Sequence, residues 1–280
     1  MKFTKMQGTG NDYVYVDLFT ETIKNPGDVA RFVSARHFGI GADGLVLIAP
    51  SETADCAMLM YNADGSESKM CGNAIRCVAK YAYEHGIVKQ KELNIETKSG
   101  IKHIDLDVVA GSVQKIAVDM GPINLIPKEI PILAEGESFI NQPIEVGDKT
   151  YTATCVSLGN PHCVIFTKNI DDLDLKSLGP LFEYHPMFPE RINTEFATVL
   201  DEQNIKMRVW ERGTGETESC GTGTCAVTAA AVLSGYCKRN EEIAVHIPGG
   251  VLYDTYYDSG RITMKGAAVE VYRGTIDLPF

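Results

Sequence analysis

The feature that most constrains this 280-residue chain is that it matches itself at one offset. Sliding it by 149 positions sets Cys71-Gly72 on Cys220-Gly221, Gly10-Asn11 on Gly159-Asn160, Glu67 on Glu216, Gly86 on Gly235 and Gly100 on Gly249. Between 62–86 and 211–235, six of 25 positions are identical, which is more than composition supplies. One offset serving five separate landmarks implies a duplicated domain. The local patterns repeat as well. After Cys71, "GNAIRCVAKYAYEHG" puts Ile75, Val78, Ala79 and Ala82 on one helical stripe and stops at Gly86, a C-terminal cap. After Cys220, "GTGTCAVTAAAVLSG" is apolar nearly all round and stops at Gly235, which predicts a helix buried on every side. "YVYVDLF", "GLVLIA", "CAMLMYN", "CVIFT", "KMRVWE" and "RITMKG" read as strands. The stretch 121–150, with four prolines, reads as connecting and edge-strand material. The expected architecture is α/β: two pseudo-symmetric domains, each a strand-rich wrap around a central helix, with a ligand in the cleft between them.

Composition narrows the class. A hydrophobic fraction of 44% and a charged fraction of 22% suit a soluble globular protein. A net charge of −11 argues against nucleic acid as a partner, though a local arginine can still hold an anionic substrate. The N-terminal "MKFTKMQGTGND" has no apolar signal region, and the longest apolar stretch, "CAVTAAAVL" at 225–233, is too short to span a membrane. Eight cysteines without a signal peptide suggest free thiols in a cytoplasmic protein.

Two of those cysteines stand apart. Cys71 and Cys220 each precede a predicted helix and a glycine. A helix start lowers a thiol pKa from its ordinary ~8.5, and the amides after each cysteine suit a carboxylate. A pair of such helix starts related by a pseudo-twofold would hold one carboxylate with a sulfur on either side of the adjacent carbon. That arrangement suits inversion of a stereocentre: one thiolate removes the α-proton and the opposite thiol returns one. Duplication would explain why acid and base are the same residue type. Cys56, Cys77, Cys155, Cys163, Cys225 and Cys237 read as small buried hydrophobes. A zinc site from Cys71, Cys77, Cys220 and Cys225 lacks the usual ligand spacings, so no metal is expected. Sulfurs facing across a small cleft could also bridge on oxidation.

Six motifs in order, "KMQGTGNDYV", "GIGADGLV", "YNADGSESKMCGNAIRC", "GNPHCVIF", "INTEF" and "MRVWERGTGETESCGTGTCA", cover nearly the whole chain and resemble the diaminopimelate epimerase family. The resemblance implies that family's fold, with half-domains 1–120 and 121–269 and the last strand, within 270–280, returning to the first half. It implies cofactor-independent conversion of LL- to meso-diaminopimelate, on the route to lysine and cell wall, with a homodimer as the expected assembly. Cys71 and Cys220 match its catalytic pair, and His162 and Glu211 match the residues that tune the thiols. Asn11, Asn62, Asn160, Asn193, Glu211 and Arg212 match substrate-binding positions, and Gly72-Asn73 and Gly221-Thr222 match the carboxylate-binding helix starts. Arginine offers a fork for the distal carboxylate, and asparagines offer donors and acceptors without charge. Two positions depart from the pattern: some members carry glutamine at Gly44, and Ala74 replaces a glycine common after "CGN". Rival readings are a racemase of proline, glutamate or aspartate, a pyridoxal phosphate enzyme, a binding module without chemistry, and a thiol–disulfide protein. Neither helix start carries the C-x-x-C of the last.

Overall fold

Lys2–Gly8 (β1) and Asn11–Asp17 (β2) form a hairpin in which Gly8 faces Asn11. Its two loop residues, Thr9 and Gly10, have φ of 50° and 86°, the left-handed pair that a type I′ turn needs. From this hairpin the computed structural model, which describes all 280 residues, builds the first of two units: Met1–Asp119 with Lys265–Phe280. The chain continues through α1 (Pro26–Ser34), β3 (Gly44–Ala49), β4 (Cys56–Asn62) and the short β5 (Glu67–Ser68). Then come α2 (Gly72–Glu84), β6 (Glu92–Thr97), β7 (Gly100–Val109) and β8 (Ser112–Pro122). The second unit, Met120–Met264, holds β9 (Phe139–Val146), β10 (Lys149–Ser157), β11 (Pro161–Phe166), α3 (Leu175–Glu183), β12 (Asn193–Asp201) and β13 (Asn204–Glu211). It goes on through β14 (Gly215–Thr217), α4 (Gly221–Leu233), β15 (Glu242–Ile247), β16 (Gly250–Tyr256) and most of β17 (Arg261–Gly266). The last strand, β18 (Val269–Thr275), pairs antiparallel with β1, so the first unit is closed by the end of the chain.

The pairing pattern repeats. In the first unit β18, β1 and β2 are antiparallel neighbours, and β2 runs parallel to β3 after the α1 crossover. Strand β4 pairs antiparallel with β3 and parallel with β6 after the α2 crossover, and β7 and β8 follow antiparallel. The second unit repeats this with β9, β10, β11, then β12 through α3, then β13, and β15 through α4. Helices α2 and α4 start 149 positions apart and are 13 residues each. Each packs against strands of its own unit on several sides. The fold expectation holds, with corrections of detail. Gly100 corresponds in the structure to Gly250 rather than Gly249: each opens a strand hairpin, facing Thr97 and Ile247 respectively. One extra residue between Gly235 and β15 shifts the register there.

Ile75, Val78, Ala79 and Ala82 are buried as the stripe predicts, and the rest of residues 72–82 are buried with them. Arg76, fully buried, donates to the carbonyls of Gly72 and Ala267 and to Thr9 Oγ1 at 3.2–3.3 Å. Lys80 donates to Val113 O at 2.8 Å and to Glu84 at 2.7 Å. Polar residues bury when every donor finds an acceptor. The shorter helices α1 and α3 carry no strong sequence signal. In α3, Gly179 and Pro180 sit inside the helix, and a Cβ at Gly179 would meet the Trp210 ring at 2.2 Å. No helix is long and apolar enough to cross a membrane.

Candidate functional site: two cysteine-headed helices

Both cysteines occupy the position just before a helix, in extended conformation, with φ of −137° at Cys71 and −130° at Cys220. Each carbonyl accepts the first helical bond, from Ile75 and Thr224, at 3.0 Å. The amides that precede that bond point out of the helix end, and the helix dipole makes the end partly positive. Glycine follows each cysteine, so backbone can be approached closely there.

In the first unit, Cys71 is partly exposed and its thiol donates to Asn11 Oδ1 at 3.3 Å. Asn11 in turn donates to Asp43 at 2.8 Å, which fixes which end of the amide faces the sulfur. Burial, opposed by a bond from the Asp12 backbone, raises the Asp43 carboxyl above its usual range. Asn73 lies buried behind Cys71 and accepts from Thr9 Oγ1 at 3.3 Å. Asn62 sits in a tight turn, with its side chain on Ser66 Oγ at 3.0 Å. Gly44 has no room for a side chain: a Cβ would meet Tyr61 O at 2.2 Å and the Tyr13 ring at 2.8 Å. Ala74 is accommodated and buried.

In the second unit, Cys220 is only 7% exposed, and its sulfur lies 3.6 Å from Thr222 Oγ1. Thr222 Oγ1 accepts from Asn160 at 3.1 Å. His162 on β11 and Glu195 on β12 are fully buried and share a 2.7 Å bond through Nδ1. His162 Nε2 and Glu195 Oε2 have no protein partner. A Cβ at Gly223 would lie 3.0 Å from Glu195 Oε1 and 3.2 Å from Cys220 Sγ, so Glu195 borders the thiol. Burial, then the carboxylates of Glu211 and Glu195, push the Cys220 thiol well up, against bonds from Thr222 and the Gly223 amide. Burial likewise raises the Glu195 carboxyl. Glu211 accepts from Thr217 Oγ1. Asn193 spends both ends of its amide on backbone, donating to Pro161 O and accepting from Arg212 N, each at 2.9 Å. Arg212 is exposed and donates to Glu190 O at 2.9 Å.

The structure thus gathers Asn11, Asn73 and Cys71 around one helix start, and Asn160, Thr222 and Cys220 around the other. It adds Glu195, which sequence reasoning missed although the residue stands inside "INTEF". The available signal was an acidic residue within a run of buried strand positions.

Comparison with known proteins identifies the lineage. A family model described as "Diaminopimelate epimerase" matches residues 3–126 and 154–271. The chain belongs to the diaminopimelate epimerase family. The Desulfovibrio desulfuricans diaminopimelate epimerase is 53% identical over 98% of this chain and 97% of its own length. The Acetivibrio thermocellus diaminopimelate epimerase is 49% identical over 99% of each. Solved structures share the fold at low identity. A probable proline racemase from Agrobacterium radiobacter K84 has a TM-score of 0.73 at 15% identity, covering 99% of this chain and 93% of that one. The Bacillus anthracis phenazine biosynthesis protein of the PhzF family has a TM-score of 0.70 at 19% identity, covering 99% of each.

Proposed function

We infer that the chain is a diaminopimelate epimerase in lysine biosynthesis, interconverting the LL and meso forms by two-base proton transfer between Cys71 and Cys220. The observation that carries this reading is the cysteine placed identically before two matched 13-residue helices in a chain of this family. The reaction calls for both helix starts to meet one substrate molecule. Their outward amides bind the carboxylate at the reacting carbon and stabilise the negative charge that grows on it as the carbon flattens. One sulfur takes the α-proton and the other supplies a proton to the opposite face, so each exchanges role when the reaction reverses.

The environment divides the starting states. Burial and the two nearby carboxylates hold the Cys220 thiol above the usual thiol range, whereas Cys71 is partly exposed beside Asn11, so the two sulfurs meet the substrate in unlike surroundings. His162, bonded to Glu195 and with Nε2 unpartnered, is suited to pass charge to that thiol, as is Glu211. Arg212 binds the distal carboxylate through its fork, Asn11, Asn62 and Asn160 serve the polar groups of the substrate, and Asn193 contributes the second N–H and lone pair that its two backbone bonds leave over. The chemistry needs no cofactor or metal beyond these groups. The reading extends to a cytoplasmic homodimer, since Val269, Val271 and Tyr272 on β18 expose apolar surface of the kind a second copy covers.

The test is α-proton exchange of LL-diaminopimelate in deuterated water, with reductant and no added cofactor. Deuterium at one α-carbon with meso product is the expected result. Exchange with proline or glutamate instead would keep the mechanism and change the substrate, and no exchange with any amino acid would reject it.

A further inference from the structure

Glu183 closes α3 and is 3% exposed, and nothing in the proton transfer uses it. Its Oε2 accepts from Trp210 Nε1 at 2.8 Å. Its Oε1 accepts from the Gly213 amide at 2.9 Å and lies 3.5 Å from Arg191 Nη1. All three donors are close to Arg212 or to its hydrogen-bond acceptor in sequence. Trp210 and Gly213 bracket the Glu211-Arg212 pair in sequence. Arg191 follows Glu190, the residue whose carbonyl accepts from the Arg212 guanidinium. One buried carboxylate therefore ties together the two backbone segments that hold Arg212. Trp210 cannot swing away on the α3 side, because its ring fills the space beside Gly179.

The other half serves as an internal control. At the 149-residue offset, Glu183 corresponds to Ser34, which ends α1, is buried and leaves its hydroxyl without a partner. Trp210 and Arg212 correspond to Tyr61 and Ala63. The same helix end and strand thus fold without a carboxylate. The carboxylate accompanies the arginine and is not demanded by the architecture.

We propose that Glu183 is a positioning residue that aims Arg212 at the distal carboxylate, and so sets preference for a diamino dicarboxylic acid. The inference rests on the reading of Arg212 given above. Glu183→Gln keeps the volume but turns one acceptor into a donor facing Trp210 Nε1 or the Gly213 amide. In the full-length enzyme the KM for LL-diaminopimelate rises about tenfold while kcat at saturation stays within about twofold. The inhibition constant of L-lysine, the same molecule without the distal carboxylate, stays unchanged. A merely structural role would lower kcat with the folded fraction and leave KM alone. An unchanged KM, or an equal loss of lysine binding, overturns the proposal.

Trp210→Phe removes one donor and keeps the Gly213 bond. If Glu183→Gln does not fold, a KM about threefold higher in this variant supports the role and an unchanged KM rejects it. Arg212→Ala run in parallel separates the two claims. If it leaves KM unchanged, the Arg212 reading falls and takes this one with it. If it raises KM while Glu183→Gln does not, only the role of Glu183 falls.

Discussion

Helices α2 and α4 have the same length, the same cysteine ahead of them and the same place in the pairing order, yet they bury opposite chemistry. At matched positions, α2 carries Arg76 and Lys80 where α4 carries Cys225 and Ala229. Both helices are enclosed by strands, so the difference is not one of exposure. Around α4 the contacts are mostly apolar, although Thr228 meets the buried Asp254 of β16. In α2 they include the carbonyls of Gly72, Val113 and Ala267 and the Thr9 hydroxyl, which the cationic side chains bond. Duplication preserved the backbone plan and left the lining free to diverge. The half-sites diverged in the same way: beside Cys220 stands a buried His162–Glu195 pair, whose counterparts near Cys71 are Tyr13 and Val46.

The comparison breaks most readily at the cysteines. If the halves are equal partners, Cys71→Ala and Cys220→Ala each lower epimerisation by ~10³-fold or more while the fold is kept, as circular dichroism and exchange assays would show. Normal turnover by either variant removes the two-thiol mechanism. The helices offer the next test. Arg76→Leu strands several buried acceptors and costs about 3 kcal/mol, whereas Cys225→Ala at the matched position costs about 1 kcal/mol, read from urea midpoints. Equal losses would mean that the polar lining of α2 has no energetic weight.

The smallest effect concerns titration. Burial, Glu211 and Glu195 hold the Cys220 thiol above the usual thiol range. Its raised value favours the folded state below the ordinary thiol pKa, and that contribution fades as pH climbs through the raised value. Glu211→Gln removes a carboxylate, so the pH of half-maximal alkylation of Cys220, followed by peptide mapping, moves down. No movement would deny that Glu211 acts on this sulfur.

How much of this was legible follows from what each residue type signals. The duplication showed because glycines and cysteines at turns and helix starts tolerate few replacements. The α4 helix was readable because its own residues are apolar nearly all round. In α2 the stripe shows only part of the burial, because a buried, hydrogen-bonded arginine has the same letter as a solvated one. Glu195 and Glu183 escaped for the same reason: their meaning lies in His162, Trp210 and Gly213, which are distant in sequence. Helix α3 was hidden by Gly179 and Pro180, and the reason for the glycine lies outside the local sequence: the Trp210 ring fills the space a Cβ would need.

The pairing of β1 with β18 bears on how the polypeptide is made. The second unit is one continuous stretch, so its strand ladder closes without residues from the other end of the chain. The first unit, although its residues leave the ribosome earlier, must wait with Lys2–Gln7 unpaired on one side until residues 269–275 arrive. Closing a ladder between opposite ends of a chain is the slow kind of contact to form. The half that leaves the ribosome first is therefore the one whose ladder depends on the last strand made, and a chain cut short before residue 269 leaves Lys2–Gln7 without that neighbour.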